Sequence, residues 1–480
     1  MYLNNFLVIG IESTLVLSGL FFLVLGVFNK SKDINKIIYF ATIFIMLLAA
    51  VMSGGSNYFE GSAFNHTFIN DNFALKIKML ILLAVSLVLV VSYRRLTSNH
   101  LLVFEFPILV LCSTIGMLVM ISSQDLIILF VGLELHALPL YVLAAFNKKS
   151  LKSSEAGLKF FLLGALSSGL LLYGCSLIYG AVGSIYFYDI SISSDDSNSW
   201  IILLGLGFIL CGLSFKLSIV PFHMWAPDVY EGSPTPTTLF LASAPKLAVL
   251  AMTARILIIG FEKFTDGWQQ ILCVLAILSI VFGSIAAIAQ KNIKRLLAYS
   301  SISHMGFAII GLVAGSQVGL TASLWYTVIY LVMTIGVFTF VLNMETKHVD
   351  SLSIQNISGL SKSSPNLAIL MTFLICSMAG LPPFIGFFAK YFIFMAAIEA
   401  GFIWTVVLAV IGSVIGSFYY LRLIYYMYFG DTESTISIDM SRIEYLVFVF
   451  AGVFVLVGSL NFFGVDEYLR LAVESLFVND

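Results

Sequence analysis

The chain has 480 residues, of which 60% are hydrophobic and 10% are charged, and its mean hydropathy is +1.02. These values lie far outside the range of soluble globular proteins and exclude a soluble domain of any size. The formal net charge of −2 offers no basis for nucleic-acid binding.

The sequence carries no pattern that predicts a cofactor or a metal site. All five cysteines lie inside apolar runs without paired spacing, which argues against a disulfide framework and an iron–sulfur centre. No GxGxxG or P-loop pattern follows a strand, so a nucleotide site is not indicated. The segment Met1–Phe6 has no Lys or Arg, so we expect the first span to be retained and not cleaved as a targeting peptide.

Apolar runs long enough to cross a bilayer recur along almost the whole chain. We predict fourteen of them, at 7–28, 37–53, 79–93, 105–121, 126–146, 157–180, 201–220, 237–260, 271–290, 296–315, 320–343, 366–396, 402–428 and 445–464. The fold class is therefore an all-α polytopic membrane protein.

Basic residues concentrate in alternate loops, which predicts an even number of spans with both termini outside. The predicted inward loops carry Lys30, Lys32, Lys36, Arg94, Arg95, Lys148, Lys149, Lys152, Lys291, Lys294, Arg295, Lys347, Lys362 and Arg442. The outward segments carry Lys76, Lys78, Lys263 and Arg470, together with acids such as Asp189, Asp195 and Asp196. The inward loop 221–236 has Asp228 and Glu231 but no Lys or Arg, so we expect it to fold against protein.

Lys216 and Lys246 lie inside apolar runs, and Lys246 directly follows Pro245. An ammonium at bilayer depth costs about 2.5–3.5 kcal/mol on insertion scales, so it persists where it faces a partner or a wet path. Burial can also bring a lysine pKa into the range where the side chain loads and releases a proton. The alternative for each lysine is a static ion pair.

Glu134 lies in the middle of a predicted span. A carboxylate at that depth needs a cation or a wet cavity, and otherwise becomes neutral; the alternative is a hydrogen bond between helices from a protonated glutamate. His136, two residues later, points to a different helical face, so we do not expect it to be the direct partner of Glu134.

Two stretches resemble each other in plan and predict an internal repeat. One run ends in Val220-Pro-Phe and contains Lys216, and another carries Leu381-Pro-Pro-Phe384 in its middle, followed by Lys390. Paired proline-interrupted spans are typical of inverted-repeat transporters. We therefore predict two five-span repeats within a chain divided into 1–104, 105–260, 261–430 and 431–480.

Three further groups complete the candidates. Lys159 opens its span, where the side chain either joins a path or snorkels to the inward surface. His304 either relays protons or is a satisfied interior histidine. Arg255 and Arg422 lie near span ends and are interpreted as snorkelling or lipid-facing anchors. The Phe, Tyr and Trp residues are interpreted as packing and as the aromatic belt at the membrane interface. Together Glu134, Lys216, Lys246, His304 and Lys390 predict a chain of titratable groups suited to proton transport.

Several motifs carry a family resemblance. They are His223-Met-Trp-Ala-Pro-Asp-Val-Tyr-Glu-Gly-Ser-Pro-Thr-Pro-Thr237, Ala244-Pro-Lys246, Glu155-Ala-Gly-Leu-Lys159, Asn292-Ile-Lys-Arg295 and Ala379-Gly-Leu-Pro-Pro-Phe384. From about residue 105 to 430 the chain resembles the N-type antiporter-like subunit of respiratory complex I (NADH:quinone oxidoreductase), whose mitochondrial counterpart is NADH dehydrogenase subunit 2.

The resemblance implies fourteen helices with two inverted five-helix repeats, each holding a broken helix. It implies a proton path through Glu134, Lys216, Lys246 and Lys390, and it strengthens the case for Lys159. It also implies membership of a proton-translocating NADH:ubiquinone reductase in which NADH, FMN, iron–sulfur clusters and quinone bind to partner subunits. The expected partners are other complex I membrane subunits, including M-type and K-type neighbours, and lipids.

Two alternatives remain open at this point. The chain could instead belong to a stand-alone cation/proton antiporter, which would purify without flavin and iron–sulfur proteins, or be a structural spacer that has lost pumping. The expected location is the mitochondrial inner membrane or a bacterial plasma membrane, and the composition, heavy in Ile, Phe, Asn and Lys, leans towards mitochondria.

Overall fold

The computed structural model describes residues 2–29, 31–55, 59–193, 199–344, 352–430, 438–458 and 464–477. Four charged residues used above to predict orientation, Lys30, Lys347, Asp195 and Asp196, lie outside these ranges. Each of the fourteen predicted runs coincides with one helix or with one interrupted helix. Within the described ranges, eleven helical segments are long and apolar enough to cross a membrane.

The first part of the chain forms a unit of three long helices. Its elements are α1 (Tyr2–Val8), α2 (Gly10–Phe28), α3 (Lys32–Gly55), β1 (Gly61–Ala63), β2 (Phe68–Asn70) and α4 (Asn72–Ser98). The strands pair antiparallel as a small outward hairpin. Helices α3 and α4 are longer than their apolar runs of 37–53 and 79–93, because hydropathy alone misses the polar ends of a helix.

The next part carries the first interruption. Its helices are α5 (Glu105–Ile121), α6 (Leu126–Ala144), α7 (Leu151–Val182), α8 (Phe187–Ile192), α9 (Ser199–Leu217), α10 (Trp225–Gly232), α11 (Thr235–Ala242) and α12 (Ala244–Arg255). A π-helical turn at Ile256–Gly260 continues α12. The predicted span 237–260 therefore bends at Ser243, a break that the apolar run does not reveal.

The following part carries the second interruption. A 3-10 turn at Glu262–Phe264 leads into α13 (Thr265–Ile288), α14 (Ile293–Val313) and α15 (Gln317–Met344), and a second turn at Ile354–Ile357 leads into α16 (Leu360–Ser363). The predicted run 366–396 is divided into α17 (Pro365–Ala379) and α18 (Ile385–Glu399), followed by α19 (Ile403–Phe429).

The two parts are built alike. Helix α5 packs on α6 and α12 as α13 packs on α14 and α19, and α6 packs on α7 as α14 packs on α15. Equivalent helices also begin alike, since Asp125 caps α6 and Asn292 caps α14 through side-chain oxygens that accept backbone hydrogen bonds. Five spans are an odd number, so the second repeat starts on the opposite side of the membrane and is inverted.

Two C-terminal helices close the structure, α20 (Arg442–Val457) and the amphipathic α21 (Val465–Phe477). Residues predicted on one side of the membrane contact each other: Arg94 pairs with Asp439 at 2.6 Å on the inward side, and Asn72 Nδ2 lies 3.5 Å from the Leu471 carbonyl on the outward side. These contacts agree with the alternation read from the basic residues.

Candidate functional site

The first interruption begins where α9 ends at Leu217. Pro221 follows within four residues, and proline can neither continue the hydrogen-bond ladder nor avoid a clash with the preceding turn. Ser218 adopts a left-handed φ of 58°, and the Val220 amide donates to Ser279 Oγ at 2.9 Å. The last carbonyls of α9 therefore lack helical partners inside the protein, where they must find others.

Lys246 supplies one of those partners from the start of α12. Its Nζ donates to the Leu217 carbonyl at 2.8 Å and to Ser218 Oγ at 2.5 Å, and it lies 5.6 Å from the centre of the Trp225 ring. A cation is favourable at the negative end of a helix. The side chain is 1% exposed, and among the residues that the structure describes no carboxylate lies within 4 Å of Nζ, so these residues do not form the static ion pair considered for it.

Lys216 lies one residue before the same break. Its Nζ donates to the Tyr141 hydroxyl at 2.9 Å and lies 5.4 Å from the centre of that ring. Tyr141 is seven residues after Glu134 on α6, which places the two residues on the same helical face. Sequence reasoning missed this tyrosine, although its i+7 spacing from Glu134 was a usable signal.

Glu134 and Lys216 do not form an ion pair within 4 Å. Glu134 instead accepts a hydrogen bond from the Ser168 hydroxyl on α7, while Lys216 is held by Tyr141. His136 turns to α5, where its Nδ1 lies 2.8 Å from Ser113 Oγ, as expected from its different helical face. Glu134 and Lys216, both predicted to belong to the proton path, are therefore apart, with a tyrosine beside the lysine and a serine bound to the glutamate.

The second interruption repeats the arrangement of the first. Helix α17 ends at Ala379, and Gly380 follows with a φ of 81°, a conformation that a side chain would strain. Lys390 on α18 donates to the Ala379 carbonyl at 3.0 Å and to Ser413 Oγ at 3.1 Å. In both repeats, a buried lysine thus hydrogen-bonds the last carbonyl of an interrupted helix.

His304 lies between two tyrosine hydroxyls. Its Nδ1 is 2.6 Å from Tyr326 Oη and its Nε2 is 2.8 Å from Tyr420 Oη. A cavity of about 10 Å³, lined by His304, Tyr420, Lys390 and Ser413 among others, joins this histidine to the lysine. Its size matches a single water molecule. The histidine is thus both satisfied and placed beside a titratable neighbour.

Lys159 is not brought together with the other candidates. Its Nζ pairs with Asp228 at 2.9 Å and with Glu155 at 2.8 Å, and its side chain is 44% exposed. These contacts lie at an inward cavity of about 160 Å³. The loop 221–236 does fold against protein, as expected, because its acids pair with basic residues of α7 and α14.

The interpretation of Arg255 as a snorkelling or lipid-facing anchor is wrong, whereas Arg422 is partly exposed towards the end of α19. Arg255 is 1% exposed and pairs with Asp71 at 2.6 Å. The guanidinium of Arg422 donates to the carbonyls of Ile288 and Gln290 at the end of α13. The interpretation of all aromatic residues as packing is wrong for the tyrosines that contact Lys216 and His304.

A second buried charge cluster was also missed. Lys78 is fully buried and donates to Glu12 Oε1 and Asn70 Oδ1, each at 2.5 Å. It joins α4 to α2 on the outward side, close to the Asp71–Arg255 pair. Within the described ranges, no group of three or more His, Cys, Asp or Glu side chains is placed to hold a metal ion.

Residues 123–416 match the family model described as "NADH:quinone oxidoreductase/Mrp antiporter, TM". The chain is also 45% identical over 467 residues to NADH-quinone oxidoreductase subunit N of Rhodobacter capsulatus, covering 97% of each protein. The chain belongs to the family of NADH-quinone oxidoreductase N subunits.

Solved structures agree with this family. A chain of respiratory complex I from Thermus thermophilus with bound aureothin is 31% identical, with a TM-score of 0.79 over 95% of this chain and 98% of that one. A chain of the Mrp complex from Dietzia superposes with a TM-score of 0.82 over 100% and 98%, but at 20% identity it shows the fold alone.

Family membership confirms the predicted function at this level, a proton-translocating membrane subunit of respiratory complex I. The stand-alone antiporter is less well supported, because the Mrp likeness does not extend beyond the fold. The lean towards mitochondria is not supported, since the relative from Rhodobacter is bacterial.

Proposed function

We propose that this N-type subunit moves protons outward through Glu134, Lys216, Lys246, His304 and Lys390, using energy delivered by partner subunits. The observation that carries the proposal is that Lys246 and Lys390 donate hydrogen bonds to the last carbonyls of the two interrupted helices, α9 and α17. Each ammonium is held by carbonyl and hydroxyl oxygens, and no carboxylate within the described ranges lies within 4 Å of it. Such a site stabilises the charged lysine but still allows it to lose its proton, because no full negative charge opposes deprotonation.

The first half supports a switch next to this site. Glu134 and Lys216 are separated, and Lys216 lies one residue before the Leu217 carbonyl that Lys246 binds. If Glu134 approaches Lys216, its negative charge retains the proton on that lysine. When the carboxylate withdraws, the two lysines repel across the break, and one of them releases its proton. The Tyr141 hydroxyl can pass that proton, since it both donates and accepts hydrogen bonds.

The second half supports an outlet. His304 and Tyr420 reach Lys390 through the cavity of about 10 Å³, so one water molecule completes a hydrogen-bonded chain. Moving each proton outward against the membrane potential requires about 2.3 kcal/mol per 100 mV. The N subunit itself therefore supplies a path and its switches, while the energy comes from redox chemistry elsewhere in the assembly.

We propose that this subunit assembles with other complex I membrane subunits, including M-type and K-type neighbours, in a bacterial plasma membrane. NADH, FMN, iron–sulfur clusters and quinone then bind to the partner subunits, and the repeats occupy 105–260 and 261–430. The assignment of Lys159 to the path stays a prediction, and its ion pairs with Glu155 and Asp228 support a positioning role instead.

The test uses the assembled complex in inside-out membrane vesicles. NADH oxidation and proton uptake are measured for the native protein, Lys216→Ala and Lys246→Ala. Lys263→Ala is the control, because Lys263 is exposed and its Nζ donates to the Ile192 carbonyl, away from the proposed path. We expect fewer protons per NADH in the two path variants and no change in the control. Full proton uptake at native complex levels in both path variants would overturn the proposal.

A further inference from the structure

The geometry points to an inward gate in which ion pairs at Asp228 and Glu231 hold the short helix α10 closed beneath Lys246. In this arrangement Lys159 and Arg295 are positioning residues that act through α10, and Lys159 carries no proton itself. The inference rests on the proposed function, since a gate requires that Lys246 exchange protons with the inward side.

The ion pairs tie α10 to both repeats. Asp228 pairs with Lys159 of α7 at 2.9 Å and with Arg295 of α14 at 2.7 Å. Glu231, one turn later on α10, pairs with Arg295 at 3.2 Å and approaches Lys152 to 3.8 Å. One eight-residue helix is thus held by basic side chains from a helix of the first repeat and a helix of the second.

The other end of α10 covers the lysine site. Trp225, the first residue of α10, lies one helical turn before Asp228, and its ring centre is 5.6 Å from Lys246 Nζ. The indole donates to the Phe215 carbonyl at 2.9 Å and stacks on Phe160 with ring centres 4.4 Å apart. Any displacement of α10 at Asp228 therefore moves the cover of Lys246.

The backbone of α10 packs closely on that of α7. A Cβ added to Gly232 would lie 2.6 Å from the Lys152 carbonyl oxygen, so the backbones touch here. The ion pairs themselves are partly exposed, with 34% of the Asp228 side chain and 33% of the Arg295 side chain accessible. Partly exposed pairs are individually weak, so they can break and re-form during a transport cycle.

The charge state of Asp228 favours the ion pairs that hold α10. Partial burial favours the neutral carboxyl, but hydrogen bonds from Lys159 and Arg295 outweigh it and hold the pKa of Asp228 below its usual range. The carboxylate therefore stays ionised at neutral pH and keeps both pairs. The cavity of about 160 Å³ beside Asp228 opens to the inward side, so water from that side reaches these ion pairs before it reaches Lys246.

The inverted repeat gives an independent argument. Asp228 lies seven residues after Pro221, and Lys390 lies seven residues after Pro383, so the two occupy equivalent places after the interruptions. In the second repeat this position holds the lysine that binds the end of the preceding helix. In the first repeat the same position holds Asp228, which pairs with basic residues of the neighbouring helices. This is the difference expected if the position holds α10 in place.

The test measures access to α10 in the assembled complex. Ala226 is fully buried on α10, so Ala226→Cys serves as a reporter in a background in which the five native cysteines are replaced. Inside-out vesicles expose the inward face to a membrane-impermeant maleimide, and the labelling rate is recorded together with protons taken up per NADH. NADH oxidation confirms that each variant assembles.

We expect Asp228→Asn and Lys159→Gln to label several-fold faster than the reporter alone and to take up fewer protons per NADH. Asp228→Glu and Lys159→Arg keep the charges and should match the reporter. Glu155→Gln is the matched control, because Glu155 pairs with Lys159 along α7 and makes no bond to α10.

Two results would overturn the inference. One is unchanged labelling in both Asp228→Asn and Lys159→Gln. The other is a Lys159→Arg variant as deficient in proton uptake as Lys159→Gln, since a guanidinium does not release its proton and that result would make Lys159 a carrier. Lys216→Ala, assayed alongside, separates the gate from the path: it should lose proton uptake without faster labelling. Native uptake in Lys216→Ala would instead count against the proposed path.

Discussion

The Nζ of Lys246 lies 2.8 Å from the carbonyl oxygen of Leu217, the last residue of an interrupted helix. The relationship of Lys390 to Ala379 is the same at 3.0 Å. A lysine so placed satisfies a carbonyl that the break leaves without a helical partner. In the proposed function it has a second, separable role, which is to hold a proton and release it. The two roles predict different responses to substitution.

Lys246→Arg should preserve the first role and abolish the second. The guanidinium remains a cationic donor at the end of α9, but it does not lose its proton in proteins. We therefore expect assembled complex that oxidises NADH with clearly fewer protons taken up, measured with a pH-sensitive dye in inside-out vesicles. Lys263→Arg, at the exposed outward end, is the matched control. Native proton uptake in Lys246→Arg would show that only the charge is needed.

The lysines of the proposed path were recognisable in the sequence. A lysine or glutamate inside an apolar run is conspicuous because most positions around it are hydrophobic, and a proline in such a run marks a break. Lys216, Lys246 and Lys390 were found by this contrast, and the structure places all three beside interruptions. The helix count followed from the same contrast on a larger scale.

The partners of these residues were not predictable in the same way. Tyrosine and serine are common in membrane helices, and hydropathy does not show which of them face the interior. Tyr141 and Tyr420 therefore looked like packing. The interpretation of Arg255 was wrong for a related reason. Its position near the end of a span suggested contact with the membrane surface, but the packing of α12 against α4 places it beside Asp71 inside the protein.

Tyr141→Phe tests the link between the glutamate and lysine of the first repeat. The substitution keeps the ring and removes the hydroxyl that accepts the hydrogen bond from Lys216 at 2.9 Å. We expect normal assembly and a several-fold slower proton uptake at an unchanged amount of complex. Tyr179→Phe on α7 is the control, because that ring is 56% exposed. Equal uptake in the two variants would remove Tyr141 from the path.

Tyr420→Phe tests the outlet. The hydroxyl contacts His304 Nε2 at 2.8 Å and borders the cavity next to Lys390. Its loss leaves buried polar groups short of a partner, which costs about 1–3 kcal/mol, and breaks the chain between histidine and lysine. We expect slower proton uptake together with a modestly lower melting temperature of the solubilised complex. Tyr425→Phe, on the exposed face of α19, should change neither quantity. A lower melting temperature with native uptake would assign Tyr420 to stability alone.

The Glu12–Lys78 pair makes a prediction about stability that is independent of transport. Both side chains are buried, at 7% and 0% exposure, and removing one partner of a buried pair costs about 3–5 kcal/mol because the other charge stays uncompensated. Glu12→Ala should therefore lower the melting temperature of the detergent-solubilised complex markedly. Glu60→Ala should not, because Glu60 is an exposed acid in the loop between α3 and β1. The double variant Glu12→Leu with Lys78→Met removes both charges and should recover most of the loss, since apolar replacements of buried pairs are often tolerated. If the double variant is as unstable as Glu12→Ala, charge compensation is not what the pair contributes, and the hydrogen bond that Lys78 donates to Asn70 matters instead.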